Sequence, residues 1–264
     1  MRMYLPAVLV CFLAVPAGNA RAQDRPSDAS PHGVVALGAG VVPEYDGSDN
    51  MRVLPAVLAD IRWHGLDLQL GGQGLRVDVV ADRRFSFGPV IGVRLPRKNV
   101  EGPVGLLPEI DTAVEAGAFV GYRLGGDERG QGSLQMALSA VHDISGTHDG
   151  LLATASMSYA AVRSEDFSLS LDAQTSWASR DYARTYFGVT PAEATASGLA
   201  AYAPGAGFKD VGAGLTAAYW FSRSFGVTGR IGANYLMGDI ADSPVADEGS
   251  RWQPAAAIAL AYRF

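Results

Sequence analysis

Beyond residue 22 the chain has no cysteine, because the single Cys among its 264 residues is Cys11. Disulfides and thiol mechanisms are thereby excluded from everything that follows. The chain also lacks any run of about 20 apolar residues, the length that a membrane-spanning helix requires. Its mean hydropathy is only +0.10. The formal charge is −6 and no basic stripe offsets it, so the counterion release that drives nucleic-acid binding has no source. Apolar residues three and four apart, the mark of an amphipathic helix, do not supply its longest patterned segments. What is present instead is glycine, 32 residues of it, and alternation.

The clearest alternating segment runs from Asp166 to Trp177. Phe167, Leu169, Leu171, Ala173, Thr175 and Trp177 oppose Asp166, Ser168, Ser170, Asp172, Gln174 and Ser176. Arg84 to Leu95, Val211 to Phe221 and Phe225 to Met237 repeat the pattern. The chain finishes on it: Ala256, Ile258, Leu260, Tyr262 and Phe264 share one face, and Ala257, Ala259, Ala261 and Arg263 the other. A barrel that crosses a membrane shows alternate residues to lipid and so keeps its average hydropathy near zero. The expected fold is all-β, a single transmembrane antiparallel up-and-down β-barrel. Trp63, Tyr122, Trp177, Tyr219 and Tyr262 lie near strand ends on the outward parity, as an interface girdle requires. The terminal Tyr262-x-Phe264 resembles the C-terminal signal read by the bacterial barrel-assembly machinery.

Connections alternate between short and long. Short turns fall at His64-Gly65, Ala81 to Arg83, Gly125 to Gly130, Arg163 to Glu165 and Arg223-Ser224. Longer ones fall at Tyr45 to Asn50, Pro96 to Glu109, Ser145 to Asp149, Arg180 to Gly207 and Asp239 to Ser250. In an outer-membrane barrel the short set faces the periplasm. Leu66, Leu68 and Leu70 are apolar on even numbers, whereas Leu75, Val77 and Val79 are apolar on odd ones. A continuous strand cannot change parity, so Gly71-Gly72-Gln73-Gly74 reads as a turn and the count as about twelve strands. Ten remains open, since the two resulting strands are shorter than the usual nine to eleven residues.

At the N-terminus Arg2, the apolar run Leu5 to Val15 and the small-x-small site Ala20-Arg21-Ala22 read as a secretory signal cleaved before Gln23. Residues 1–22 are therefore expected to be lost and 23–264 to form the barrel. Loss of Arg2 and Arg21 takes the charge from −6 to about −8.

Three groups of residues invite a chemical reading. His142-Asp143 with Ser145 is the one constellation resembling a hydrolase. His142 shares parity with Leu134, Met136 and Leu138, however, which puts it on the lipid side. Glu44, Asp46, Asp49 and Asn50 offer oxygens for calcium, but they lack the EF-hand order, and Asp46-Gly47 reads as a turn. Parity also places Arg52, Asp60, Arg62, Asp67, Arg76, Asp78, Arg84, Arg94, Glu115, Arg123, Asp172 and Arg230 inside. A mixed-sign interior is expected to pair its own charges, the alternative being a narrow selective pore. No catalytic residue, metal site or cofactor is expected.

The ordered segments Val42-Pro-Glu-Tyr-Asp-Gly-Ser-Asp49, Phe87-Gly-Pro-Val-Ile-Gly-Val-Arg94, Ile110 to Arg123, Tyr186-Phe-Gly-Val-Thr190, Pro204-Gly-Ala-Gly207 and Gly238 to Pro244 resemble the MipA/OmpV family of outer-membrane proteins. The resemblance implies a non-enzymatic barrel in the outer membrane of a Gram-negative bacterium, among lipid and lipopolysaccharide. It further implies a scaffold that joins a murein lytic transglycosylase to a penicillin-binding synthase. A solute channel and a surface adhesin are the alternatives.

Overall fold

The computed structural model describes residues 31–264 except 72 and 73. The expected signal, residues 1–22, lies outside the described residues. Twelve antiparallel strands close into one barrel, each beside its chain neighbour, with β1 (His32–Pro43) beside β12 (Trp252–Arg263). Between them come β2 (Met51–Trp63), β3 (Leu66–Gly71), β4 (Gly74–Asp78), β5 (Phe85–Arg94) and β6 (Ala113–Leu124). β7 (Leu134–Asp143), β8 (Leu151–Arg163), β9 (Phe167–Ala178), β10 (Gly207–Trp220) and β11 (Phe225–Leu236) complete the wall. The parity change after Leu70 is a hairpin, with Leu70 opposite Leu75 and Gly71 opposite Gly74.

Alternation decides what faces outward. Leu37, Val53, Ile91, Leu138, Leu171, Ile231, Ile258 and Leu260 are all exposed, which on a closed barrel makes an apolar belt for lipid. Trp63, Phe85, Tyr122, Phe167, Tyr219, Phe225, Tyr262 and Phe264 ring the end that holds His32, Phe264 and the short turns. Tyr262 stacks on Phe264 with ring centroids 6.2 Å apart. At that turn end β2 passes into β3 through His64 and Gly65, both at positive φ (49° and 77°), a two-residue hairpin whose twist suits the flanking strands.

The inward face fills the turn-end half. Ala36, Ala56, Leu58, Ala259 and Ala261 form a buried cluster packed against Trp220, and the guanidinium of Arg263 lies 3.8 Å from the Trp220 ring centre. These residues lie on the adjacent strands β2, β1 and β12, and their small inward side chains leave room in the lumen for the Trp220 ring.

At the opposite, loop end the long connections fold into a cap. The connection after β9 holds two helices, α1 (Arg180–Phe187) and α2 (Pro191–Ser197), and the connection after β11 holds α3 (Gly238–Ala241) and α4 (Pro244–Glu248). The connection after β5 contributes a 3₁₀ turn, Pro103–Leu106. Ser179 caps α1, and Thr190 with Glu193 makes a capping box on α2, each satisfying amide groups a helix start leaves unpaired. Tyr182, Ala183, Tyr186 and Phe187 bury one side of α1 among Tyr45, Val104, Leu152, Leu236 and Val245. A fully buried Phe or Leu contributes about 1.5–3 kcal/mol, so this second core holds the loops together over the mouth.

The wall is not uniform. Gly33 and Phe264 exchange both backbone hydrogen bonds, so odd residues of β1 turn their N–H and C=O groups toward β12 and even ones toward β2. Through the β1–β2 register, with Val34 opposite Asp60 and Ala36 opposite Leu58, even residues of β2 bond β1 and odd ones face away. From Ala59 to Trp63 the odd residues meet β3. From Met51 to Val57 they meet no strand among the described residues, because β3 has only six residues and β4 five. Pro55 falls in that stretch, where its missing N–H costs no ladder bond. Amide exchange along β2 should therefore alternate, with Val53 and Val57 exchanging faster than Leu54 and Ala56. Uniform protection from 53 to 58 would show that the edge is paired.

Candidate functional site: the charged lumen beneath the cap

Where the cap meets the barrel, charged side chains from distant segments converge. Asp46, on the loop between β1 and β2, turns inward: its Oδ2 accepts from Lys209 Nζ at 3.0 Å and from the Tyr182 hydroxyl at 2.8 Å. Arg94 lies 3.7 Å from the same oxygen and grips Glu115 with two bonds of 3.0 and 3.1 Å. Its guanidinium also sits 4.9 Å from the Tyr182 ring centre. Lys209 reaches Asp210 Oδ2 at 2.7 Å.

Lys209 and Asp210 can both point inward because the β9–β10 register shifts between Phe208 and Asp210. The extra residue of a bulge turns two neighbours to one side, and both are buried. His148 completes the cluster. Its Nδ1 accepts from the Gly150 amide at 3.0 Å, and its Nε2 meets Glu115 Oε1 at 3.1 Å. The first nitrogen being an acceptor, the second carries the hydrogen.

Deeper in the barrel Arg230 forms a bidentate pair with Asp172 and touches Thr216 at 3.2 Å. Gly214 makes room for that pair: a Cβ there would stand 2.7 Å from Arg230 Nη2 and 2.9 Å from Asp172 Oδ2. Between this pair and the cap lies a cavity of about 160 Å³, whose lining includes the aliphatic Val42, Val90, Val141 and Leu152.

Burial pulls the Asp46 carboxyl up, but Lys209 and then Arg94 outweigh it and hold the group well below the usual carboxylate range. Burial pushes the Tyr182 and Tyr186 hydroxyls well above the usual phenol value, so both remain proton donors.

The other sequence candidates fall in several places. Arg52 sits at the loop-end rim and bonds the carbonyls of Glu44 and Pro96. Asp60 is buried in the lumen, and Arg62 pairs with Asp67 at 3.2 Å. Arg76 lies 5.5 Å from the Phe119 ring centre, and Arg123 reaches Gln135 at 3.5 Å. Asp78 accepts the amides of Val80 and Phe87. Arg84 lies at the turn-end mouth, where it joins Arg123 on the lining of a vestibule. It is exposed before β5, because Asp82 collects the amides of Arg84 and Phe85 and ends the turn there.

Asp143 likewise serves the backbone. It accepts from the amides of Ser145, His148 and Asp149 and from the Ser145 hydroxyl, while His142 is exposed and meets only the Asp143 carbonyl at 2.7 Å. The proposed triad members thus form a loop cap. Sequence parity missed Asp46, Tyr182, Tyr186, His148 and Lys209. The adjacent charges Lys209-Asp210 at the head of an alternating strand were the one available sign of the bulge.

The family described as MltA-interacting protein MipA matches residues 35–264. None of the curated proteins matches the chain. Among solved structures it is similar to the COG4313 outer membrane channel from Pseudomonas putida F1, at 11% identity over 100% of both chains with a TM-score of 0.44. It is also similar to the trimer form of OmpT from Vibrio cholerae, at 8% identity over 89% of this chain and 98% of that one, with a TM-score of 0.35.

A carboxylate whose pKa is lowered on folding contributes stability above its unfolded value of about 4, and that contribution is lost as pH falls through the folded value. The amides of α1 should accordingly stay protected from pH 7 down to about pH 4, once intrinsic exchange rates are corrected, and lose protection only in stronger acid. Asp46→Asn should lower that protection by about 1–3 kcal/mol at pH 7. An intact cap in the variant, or opening of the unaltered cap between pH 7 and 5, would contradict the role given to Asp46.

Proposed function

Because the chain belongs to the MltA-interacting protein family, we propose that it is a closed barrel of the Gram-negative outer membrane that holds a murein lytic transglycosylase at the inner surface. In this reading it also brings that enzyme to a penicillin-binding synthase, so that cutting and building of the wall occur together. The protein itself performs no chemistry. Lipid and lipopolysaccharide surround its apolar belt, and Tyr262 and Phe264 present the signal for the barrel-assembly machinery.

The observation that carries this reading is the difference between the two ends. At the loop end four helices and a buried apolar core cover the mouth, with paired charges beneath. At the turn end the barrel opens into a vestibule of about 400 Å³. Its lining includes five arginines, Arg62, Arg76, Arg83, Arg84 and Arg123, against three aspartates, Asp67, Asp78 and Asp82. Short turns of outer-membrane barrels face the periplasm, so the accessible, basic end is the one that meets the wall enzymes. Excess charge of one sign at a rim steers a partner of opposite sign and sets its association rate.

Arg83 and Arg84 are exposed at the mouth of the vestibule, so reversing them changes its charge directly. The double substitution Arg83→Glu, Arg84→Glu should cut recovery of the lytic transglycosylase from envelope extracts by about tenfold, a loss of roughly 1.4 kcal/mol, with the barrel folded. Unaltered protein in planar bilayers should give no steady single-channel steps. Regular conductance steps, or equal recovery by the variant and the parent, would rule the closed scaffold out.

A further inference from the structure

The cavity beneath the cap carries an imbalance that its own residues do not resolve. The carboxylates on its lining are Asp46, Glu115, Asp172 and Asp210, and the cations are Arg94, Lys209 and Arg230. His148, with Nδ1 accepting a hydrogen bond, adds no positive charge. On the lining itself four negative groups stand against three positive ones, and the buried Arg97 behind Tyr186 is turned to the carbonyls of Tyr186 and Pro108. Buried charges are paired as a rule, because an unpaired one costs several kcal/mol.

The surplus has an address. Asp210 is 2% exposed, and although Oδ2 is bonded to Lys209, Oδ1 has no hydrogen-bond partner among the described residues. The hydroxyl of Tyr186, 4% exposed, is the second orphan atom on the same lining. The orphan carboxylate oxygen calls for a donor, and the net charge calls for a cation.

Size and polarity narrow the class. A cavity of about 160 Å³ is close to one known to admit benzene. Its aliphatic lining residues, Val42, Val90, Val141 and Leu152, suit a hydrocarbon body rather than a hydrated metal ion. We propose that this cavity binds a small organic ammonium ion, whose N–H groups bond Asp210 Oδ1 and whose compact hydrocarbon body packs against the four aliphatic side chains, with the Tyr186 hydroxyl as a second polar anchor.

Strands β5 to β12 and β1 all contribute to the lining, whereas β2, β3 and β4 contribute nothing.

Benzylamine and benzyl alcohol share size and shape and differ in charge, which makes them suitable probes for calorimetry on the full-length folded barrel. Benzylamine should bind about tenfold to a hundredfold more tightly than the alcohol, the range expected of a hydrogen bond to a charged group. Asp210→Asn should remove that preference, and Tyr186→Phe should weaken both probes several-fold. Val141→Phe should abolish binding of both by filling the space. Should Asp210→Asn fail to fold, the contrast between amine and alcohol in the unaltered chain still decides. Equal affinity for the two probes, no binding of either, or an amine preference that survives Asp210→Asn would each overturn the proposal.

Discussion

The structure turns on one carboxylate in a loop. Asp46 follows the first strand, yet its Oδ2 meets Lys209 from β10 and Tyr182 from α1, with Arg94 of β5 close by. A loop, a cap helix and two distant walls are thereby tied to a single group. Inside a protein such a contact is stronger than in water, but it must be complete, because a half-satisfied charge is worse than none. Around Asp46 and Glu115 the arrangement meets that condition by sharing. Arg94 spans Asp46 and Glu115, Lys209 spans Asp46 and Asp210, and His148 closes the chain on Glu115.

This explains why the barrel has two unlike ends. Packing and ion pairing both lie on the loop-end side, where the cap needs an apolar core above and a charged floor below. The turn end is closed more lightly, by Leu58, Trp220 and the Arg263 guanidinium, and it widens into an arginine-rich vestibule. The proposed scaffold role calls for one accessible face and one covered mouth, and the two ends of the lumen are consistent with that proposal. The short β3–β4 hairpin is the exception in the wall. Among the described residues it leaves Met51 to Val57 without a strand partner on one side, where hydrocarbon offers no substitute.

Much of the barrel was legible in the chain. Period-2 alternation depends only on which residues face lipid, a local property, so strand positions, the short and long connections and the parity change at Gly71 to Gly74 could all be read directly. The cap was not. The connection from 179 to 206 looked like a loop rich in Ala, Gly, Pro and Tyr, although Ser179 and Thr190-Pro191-Ala192-Glu193 are helix-start signals and Tyr182 and Tyr186 are one helical turn apart. Eight- and seven-residue helices have too short a period to stand out, and they hold only because the loops pack on one another. Parity found Arg94, Glu115, Asp172 and Arg230. It could not find Asp46, whose partners are 136 and 163 residues away, nor the bulge that turns Lys209 inward.

The central claim is that Asp46 and Lys209 act together to lock the cap on the barrel. A double-mutant cycle with Asp46→Asn, Lys209→Met and the pair, read as the opening free energy of α1 by amide exchange, tests it most directly. A coupling of about 1–3 kcal/mol is expected for two charges in direct contact within one network. Strictly additive effects, with coupling near zero, would contradict the account.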